Sequence, residues 1–509
     1  MTRTILTAAL ALLFSLTTAM ADSARKGPGC WRSQTTRKKA ASRMATQKPT
    51  DTEELTCYRG QKKGLVILCE FTDKQFVDGH DRDKYLDILN TAGYTTNEGF
   101  RGSVADYFRD QSAGLFELHF DVVGPYTTAN DYKYYGQNDQ DDLDLYPHKM
   151  IIEMCKAADG DVNFADYDWD GDGFVDEVFV VYAGKGESDT NQKNTIWPHM
   201  WTLEEAEGST LTLDGVEIDV YACANELKSS GRINGIGTFC HEFSHCLGLP
   251  DFYDIYYTGG FGMDDFDVMA GGSYGGNGFC PVGYTAYEKL ACGWQQPIVL
   301  GSEDVTVDSL KPMNEHGETY IIYNDAYPDE YYLIENRQQE GWDADYPDRG
   351  LLITHVDYDE EVWFNNIPNS VISDKAAKKD GLTCGNDHQR MTLFHADNDD
   401  KYLGTDLYPY YRNDSLSATS KPSGTLYHNN SEGTKLMRGA ILDIKQNQDG
   451  TVAFHYRAPK QPVTDGIGEV TDRSHSNKTI YTLDGRVAGP DIQSLRHGIY
   501  LIDGKKVVR

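Results

Sequence analysis

The sequence predicts an α/β domain, then a β-rich, sandwich-like domain, then a short C-terminal strand-turn-strand tail. The first prediction rests on the continuous apolar runs 65–71 and 178–182, which are typical of strands buried on both faces. The second rests on short apolar runs after residue 298 that alternate with Gly, Asp, Asn and Pro turns. The third rests on apolar runs beside Asp-Gly pairs within residues 479–509.

Several elements of the first domain carry local signals of their own. Ser103 and Asp106 have the spacing of a capping box and predict a short helix. Asp214 and Gly215 predict the turn of a β-hairpin over 211–220. Apolar periodicity predicts three further elements, which are a strand over 115–123, a helix over 150–158 and a helix over 281–292. Because strands and helices alternate, we expect an α/β arrangement.

Composition divides the chain into six segments. The first has a short basic start, an apolar run and small residues at positions 19 and 21, the pattern of a removed secretory signal. The second is basic and poor in apolar groups, which indicates a linker or pro-segment. The predicted segments are a signal peptide (1–21), a linker or pro-segment (22–60), the α/β domain (61–297), the β-rich domain (298–458), a linker (459–478) and the tail (479–509).

The net charge of −32 limits the classes of partner. It argues against nucleic acid, because phosphate binding needs a basic surface. It also favours cation sites and fits a soluble extracellular protein. The N-terminal apolar run is too short to span a bilayer, and no second candidate follows, so we expect a secreted protein without a transmembrane segment.

The strongest chemical signal is the sequence His-Glu-x-x-His at 241–245. His241 and His245 are four residues apart and therefore lie one turn apart on the same face of an α-helix. Two imidazole nitrogens can then meet at one point, which suits a zinc ion. Glu242 projects beside that point, where it can polarise a water.

The residues after this helix strengthen the prediction of a metal site. Gly248 is where the helix is expected to end, because glycine adopts the left-handed conformation at low cost. Pro250 prevents the helix from resuming, so Asp251 is expected on a turn that folds back toward the histidines. A thiolate at Cys30 that occupies the zinc in a latent zymogen is a further hypothesis.

An acidic segment predicts a second cation site. Asp168, Asp170, Asp172 and Asp176 occupy positions one, three, five and nine of a calcium-binding loop, with glycines between them. The twelfth position is Phe179 rather than a glutamate, and a strand follows instead of a helix. The sequence therefore predicts a Ca²⁺ loop outside the EF-hand frame. An acidic turn that binds nothing is the alternative.

The chain resembles the M6 (immune inhibitor A-like) family of secreted metallopeptidases. The resemblance rests on the segments 104–108, 168–173, 180–184, 197–199, 241–245, 249–254, 267–274 and 288–294. It implies a zinc-dependent endopeptidase with a metzincin-like division, in which an upper half carries the strands and a lower half carries the Met-turn at Met269. The tail looks like the sorting tails of type IX-secreted bacterial proteins, which implies recognition by secretion machinery and attachment to the cell surface.

The third zinc ligand is predicted by comparison with the metzincin motif. That motif is His-Glu-x-x-His-x-x-Gly-x-x-His, and its third histidine falls on Asp251 in this chain. A carboxylate oxygen can bind zinc, so we predict Asp251 as the ligand, with Asp254 as the nearest competitor. A gluzincin-type hydrolase with Glu288 as third ligand is a further alternative.

The predicted activity is hydrolysis of peptide bonds in protein substrates by a zinc-activated water, with Glu242 as general base. Tyr274 and His199 are the candidate donors to the oxyanion. The hairpin over 211–220 is the candidate edge for an extended substrate. A non-catalytic adhesin with structural metals is the alternative from another class, and the presence of Glu242 argues against it, because a structural zinc needs no base.

Overall fold

The computed structural model describes residues 56–139 and 143–460, together with four short strands between 480 and 508. The described residues up to Pro459 belong to one compact unit, and those from Lys460 onward belong to a second. The predicted signal peptide, Cys30, most of the segment 22–60 and most of the linker 459–478 lie outside the described residues. Within 56–139 and 143–460, no helix is long and apolar enough to cross a bilayer.

The first half of the main unit is built on a mixed β-sheet. Its strands and the adjacent hairpin are β1 (Gly60–Glu70), β2 (Phe116–Thr127), β3 (Phe179–Lys185), β4 (His199–Thr202), β5 (Leu211–Leu213), β6 (Val216–Ile218) and β7 (Val220–Leu227). The sheet has the order β2-β1-β3-β7-β4, in which β4 alone runs antiparallel to its neighbour. The predicted hairpin is confirmed as β5 and β6, with Asp214 and Gly215 at positive φ.

Helices cover both faces of this sheet. They are α1 (Arg82–Asn90), α2 (Val104–Gln111), α3 (Tyr132–Tyr135), α4 (Pro147–Ala158), α5 (Glu187–Thr190), α6 (Leu203–Glu207), α7 (Gly237–Cys246) and α8 (Ala286–Ala291). Successive side chains of β1 point to opposite faces. Val66 joins the core that contains α1, α2 and α7, whereas Leu65 joins the core that contains α4. The α/β arrangement is therefore confirmed, with α7 on one face.

The predicted helix over 281–292 is wrong at its N-terminal end. Helix α8 begins only at Ala286, where Thr285 and Glu288 form a capping box. Before it, the backbone N–H of Gly283 donates to Asp343 and that of Tyr284 donates to Gln111. Because side chains distant in sequence bind these N–H groups, the segment stays non-helical. The capping box at Ser103 is confirmed at the start of α2.

The second half of the main unit is β-rich, as predicted. It contains β8 (Ile298–Val299), β9 (Val305–Leu310), β10 (Tyr320–Asn324), β11 (Tyr327–Arg337), β12 (Gly350–Asp357), β13 (Met391–Leu393), β14 (Ala440–Gln446) and β15 (Val452–Arg457), with the short helices α9 (Glu360–Phe364) and α10 (Asp374–Lys379). Two sheets result, with the orders β13-β12-β11-β10-β8 and β14-β15-β9. Side chains of both sheets, including Ile334 and Phe454, pack into one core between them.

The main hydrophobic core crosses the predicted domain boundary at residue 297. Phe243 and Leu247 of the histidine-bearing segment share it with Tyr331, Leu352 and Trp363 of the β-rich half. The hydrophobic core is therefore continuous across residue 297, where the architecture changes from α/β to β-rich. The β-rich half lies directly against the region that contains the histidines.

The described residues of the C-terminal unit form four strands where the sequence predicted a single strand-turn-strand. They are β16 (Ile480–Thr482), β17 (Val487–Gly489), β18 (Ile499–Ile502) and β19 (Lys505–Val508), in an antiparallel sheet of order β17-β16-β18-β19. Each of these four strands pairs with a sequence neighbour, β16 with β17 and β18 with β19. The tail is thus a small antiparallel sheet.

Candidate metal centre

The central helix α7 places the two predicted histidines side by side. The imidazole rings of His241 and His245 are 4.8 Å apart between centroids, as expected for residues one helical turn apart. The helix ends at Cys246, and Gly248 has φ +93, the left-handed conformation predicted for it. At the other end Gly237 packs so tightly that an added Cβ would lie 1.9 Å from the carbonyl oxygen of Ser273. Both helix ends are therefore fixed.

Three side-chain atoms converge at one point beside this helix. The Oδ1 atom of Asp251 lies 3.2 Å from Nε2 of His241 and 3.3 Å from Nε2 of His245. These are one of two groups among the described residues whose ligand atoms lie close enough together to hold a metal ion. The side chain of His245 is 1 % exposed and that of Asp251 is 6 % exposed, so the point is largely shielded from solvent.

Backbone carbonyl groups fix the orientation of both rings. Nδ1 of His241 is 2.8 Å from the carbonyl oxygen of Val268, and Nδ1 of His245 is 2.7 Å from that of Leu249. A carbonyl oxygen only accepts, so each Nδ1 must carry the proton. When a ring is neutral, its Nε2 therefore has a lone pair aimed at the convergence point, the arrangement that metal-binding histidines usually have.

The predicted Met-turn lies against the same histidine. Val268, whose carbonyl group binds His241, is the residue before Met269. Met269 is fully buried, its N–H donates to Oδ1 of Asp267 at 2.7 Å, and its carbonyl oxygen accepts from the N–H of Phe252. Through these hydrogen bonds the turn therefore connects the imidazole ring of His241 to the segment that carries Asp251.

Asp251 is held from the β-rich half of the chain. Its backbone N–H donates to Oδ1 of Asn366 at 2.6 Å, and its Oδ2 accepts from Nδ2 of Asn366 at 2.7 Å. Its other oxygen, Oδ1, is buried and receives no conventional hydrogen bond. Sequence reasoning missed Asn366, because nothing local distinguishes it from other asparagines.

The electrostatics of the metal-free cluster follow from burial and mutual charge. Burial opposes a charge on the imidazole of His241, but Asp251, Glu242 and the Val268 carbonyl group raise its pKa to about 9. Burial alone would raise the pKa of Asp251, but the two histidines hold it well below its usual range. In the absence of metal, a proton on the imidazole of His241 therefore balances the carboxylate.

Glu242 lies beside the cluster and is buried. Burial raises the pKa of its carboxyl group, although the two histidines and a hydrogen bond with the backbone of Met200 act in the opposite direction. Met200 belongs to β4, the edge strand of the first sheet. A carboxylate with a raised pKa next to a metal-ligand cluster has the properties of a general base.

The geometry of the cluster fits a tetrahedral zinc ion. Zinc binds histidine nitrogen and carboxylate oxygen at about 2.0–2.2 Å, which places tetrahedral ligands roughly 3.3–3.5 Å apart. The observed separations from Oδ1 of Asp251 are 3.2 and 3.3 Å. The buried Oδ1 without a hydrogen-bond donor is the kind of atom that a cation would satisfy. The residues present therefore fit a zinc ion.

The two alternative acidic ligands lie elsewhere. Oδ2 of Asp254 accepts hydrogen bonds from the hydroxyl group of Thr258 and from two backbone N–H groups, which organise the loop after Asp251. Glu288 caps α8 and is bound to Asp267, and burial raises its pKa well above the usual range. Neither belongs to the cluster of ligand atoms. Glu288 is thus engaged at the start of α8, outside the cluster that contains His241 and His245.

The two candidate oxyanion donors differ in position. His199 pairs with Cys223 across β4 and β7, and both residues face the core on the side away from α7. Its ring contacts Trp197 and Tyr221, and burial lowers its pKa to about 4. The ring of His199 therefore lies on the face of the sheet opposite to α7.

Tyr274 is 58 % exposed. Desolvation, followed by the charges of Asp189, Glu242 and Asp251, raises its pKa to about 12, so its hydroxyl group is a neutral donor near the cluster. Tyr257, which the sequence reasoning did not select, is also partly exposed, and desolvation, followed by the charge of Asp251, raises its pKa.

The acidic loop forms the second group that could hold a cation. Asp168, Asp170 and Asp176 bring one oxygen each within 4.8 Å of one another, whereas Asp172 is not in this group. Asp168 accepts hydrogen bonds from the N–H groups of Gly171 and Gly173, both at positive φ. The loop is thus curled around its first aspartate, and β3 follows directly at Phe179, as predicted.

Comparisons with known proteins relate the chain to a family of peptidases. The model of the family "Immune inhibitor A peptidase M6, catalytic domain" matches residues 56–296. The pre-pro-metalloprotease PrtV of two Vibrio cholerae O1 strains is 26% identical over 285 residues, which are 45% of this chain and 30% of PrtV. Immune inhibitor A of Bacillus thuringiensis subsp. alesti is 26% identical over 286 residues, which are 47% of this chain and 41% of that protein. The chain therefore spans less than half the length of these relatives. The family model and the relatives support the assignment of residues 56–296 to the M6 peptidase family.

Proposed function

We propose that this protein is a secreted, zinc-dependent endopeptidase that hydrolyses peptide bonds of protein substrates. The observation that carries the proposal is the convergence of His241, His245 and Asp251 on one buried point, with Glu242 beside it. Three protein ligands leave a fourth position open, which is the usual difference between a catalytic and a structural zinc site.

Zinc bound by these three residues would supply Lewis acidity, lowering the pKa of water and polarising the scissile carbonyl group. Glu242 accepts the proton of the attacking water and transfers it to the leaving amine. Its raised pKa favours this double role, because a weak acid can both accept and return the proton. Tyr274 is the remaining candidate donor to the oxyanion.

We place the substrate along β4 rather than along the hairpin. The sequence suggested β5 and β6 as the substrate edge, but Glu217 of β6 exchanges backbone hydrogen bonds with Gly173 and Val175 of the acidic loop. Strand β4 is the edge of the first sheet, and its residue Met200 contacts Glu242. An extended peptide that adds to β4 would bring its backbone to Glu242. This arrangement, with the Met-turn bound to His241 through the Val268 carbonyl group, supports a metzincin-like organisation.

Calcium at the acidic loop is a second part of the proposal. Asp168, Asp170 and Asp176 provide oxygens at one place, and oxygen is the ligand that Ca²⁺ requires. Trp169, between the first two, packs its ring against Phe116 and Phe243, with centroids 5.6 and 6.3 Å apart. Because Phe243 follows Glu242 in α7, an ordered loop would also support the catalytic helix.

Export is the third part of the proposal. The pattern of residues 1–21 supports a cleaved secretory signal, and the basic segment 22–60 supports a linker or pro-segment, with Cys30 as a candidate latency ligand. The tail at 479–509 is proposed to interact with a type IX-like secretion machinery, which would place the enzyme outside a bacterial cell or on its surface.

The test is casein hydrolysis by the purified protein, with zinc content measured on the same sample. Glu242→Ala is expected to remove hydrolysis while zinc stays near one equivalent, because Glu242 is not a ligand. Glu315→Ala, at an exposed site in the β-rich half, is the matched control and should be fully active. A chelator should inactivate the wild type. Retained activity in Glu242→Ala would refute the mechanism.

A further inference from the structure

Asn366 occupies an unusual position directly after helix α9. Its φ is +57, in the left-handed region that asparagine tolerates better than most residues. It is 1 % exposed, although its side chain is polar. The preceding helix is capped by Asp359 at its start and by Asn365 after its last residue, Phe364, so the chain turns sharply at this point. A buried asparagine in this conformation needs partners for its amide group.

Both polar atoms of the Asn366 side chain bind the same residue, Asp251. Oδ1 of Asn366 accepts from the Asp251 N–H, and Nδ2 donates to Oδ2 of the Asp251 carboxylate, at 2.6 and 2.7 Å. Two bonds to one residue fix both its backbone and its side chain. The carboxylate can then rotate little about its χ angles, because either rotation would break a hydrogen bond to a charged group.

This contact determines which carboxylate oxygen faces the histidines. With Oδ2 bound to Asn366, the free oxygen Oδ1 points at Nε2 of His241 and of His245. Without the donor, Oδ2 would be a buried anionic oxygen that lacks a partner and would compete for the same two rings. The amide group of Asn366 therefore leaves only Oδ1 of Asp251 available to bind a metal ion.

We infer that Asn366 is a positioning residue that holds the third metal ligand, so that residues beyond the peptidase-like region complete the metal centre. The inference rests on the proposed zinc function. The match to the M6 catalytic domain ends at residue 296, and Asn366 lies 115 residues after Asp251. The β-rich half is thus part of the metal site and is more than a neighbour packed against it.

The test measures zinc affinity of the full chain by competition with a chromophoric chelator, together with the absorption spectrum of the cobalt-substituted protein. Asn366→Gly removes both bonds and keeps the left-handed backbone. Asn366→Asp keeps the acceptor for the Asp251 N–H and replaces the donor by an oxygen that repels Oδ2. Both variants are expected to weaken zinc binding by about 10–100-fold and to change the cobalt spectrum, because the ligand is no longer held.

Asn386 provides the matched control. It is also buried, and its Nδ2 donates to the carbonyl groups of Ile367 and Pro368 in the same loop, but it does not contact Asp251. Asn386→Ala should lower the free energy of unfolding while zinc affinity and the cobalt spectrum stay as in the wild type. This separates loss of the donor from general loosening of the loop.

Two results would overturn the role of Asn366. One is wild-type zinc affinity with an unchanged cobalt spectrum in both Asn366 variants. The other is an equal loss of affinity in Asn386→Ala. If Asn366→Gly does not fold, Asn366→Asp decides alone. A wild-type protein that binds no zinc would overturn both the proposed function and this role. A wild type that binds zinc, but no more tightly than its Asn366 variants, would overturn only the role of Asn366.

Discussion

Replacement of Asp251 by asparagine removes one negative charge from the metal centre and almost no volume. The amide must then choose between two unfavourable orientations. If its oxygen faces the histidines, its NH₂ group meets Nδ2 of Asn366, which is 2.7 Å from Oδ2 in the wild type, so two donors face each other. If its NH₂ group faces the histidines, the third ligand is lost.

The expected magnitude follows from the burial of the site. The side chain of Asp251 is 6 % exposed, and the Nε2 atoms of both histidines are within 3.3 Å of its Oδ1 atom. Removal of one member of a buried charged pair costs about 3–5 kcal/mol. At about 1.4 kcal/mol for each factor of ten, zinc affinity should fall by roughly two to four orders of magnitude.

A chelator-competition titration of zinc measures this directly. The control is Asp254→Asn, three residues away, whose carboxylate organises a loop and is not among the cluster of ligand atoms. It should bind zinc with an affinity close to that of the wild type. Asp251→Asn with wild-type affinity, or a larger loss in Asp254→Asn, would show that Asp251 is not the third ligand.

Two further predictions concern stability. Calcium should raise the melting temperature of the wild type, because a ligand that binds only the native state stabilises it by about 2.7 kcal/mol at a hundred times its Kd. In Asp170→Ala, calcium should have no effect on the melting curve, and coincident curves for both proteins with and without calcium would remove this site. Burial, followed by the charge of Arg337, lowers the pKa of Lys289 from 10.5 to about 8. Below pH 8 the side chain is charged in the folded protein, and the whole cost of burying that charge lowers the free energy of unfolding. Above pH 10.5 the side chain is neutral in both the folded and the unfolded chain, so this cost is absent. Lys289→Met should therefore raise the free energy of unfolding at pH 7 by up to about 3 kcal/mol, and urea titrations should show this gain shrinking toward pH 10; a gain independent of pH would contradict the assigned cause.

The sequence alone predicted the features that depend on short-range geometry. The helical repeat places His241 and His245 on one face whatever surrounds the helix, and Glu242 follows from the same repeat. Gly248, the hairpin at Asp214 and the capping box at Ser103 depend equally on a few neighbouring residues, and the structure confirms each of them. The position of Asp251 beside the histidines also agrees with the prediction from motif spacing.

Only the tertiary structure decided the features that depend on contacts distant along the chain. His199 was a plausible donor by type, but the register of β4 with β7 turns it toward the opposite face of the sheet. Helix α8 is shorter than its periodicity predicts because Asp343 and Gln111 bind the N–H groups before it. Asn366 lies 115 residues from the ligand that it holds. No local pattern encodes such a contact, because it exists only once the β-rich half packs against the histidine helix.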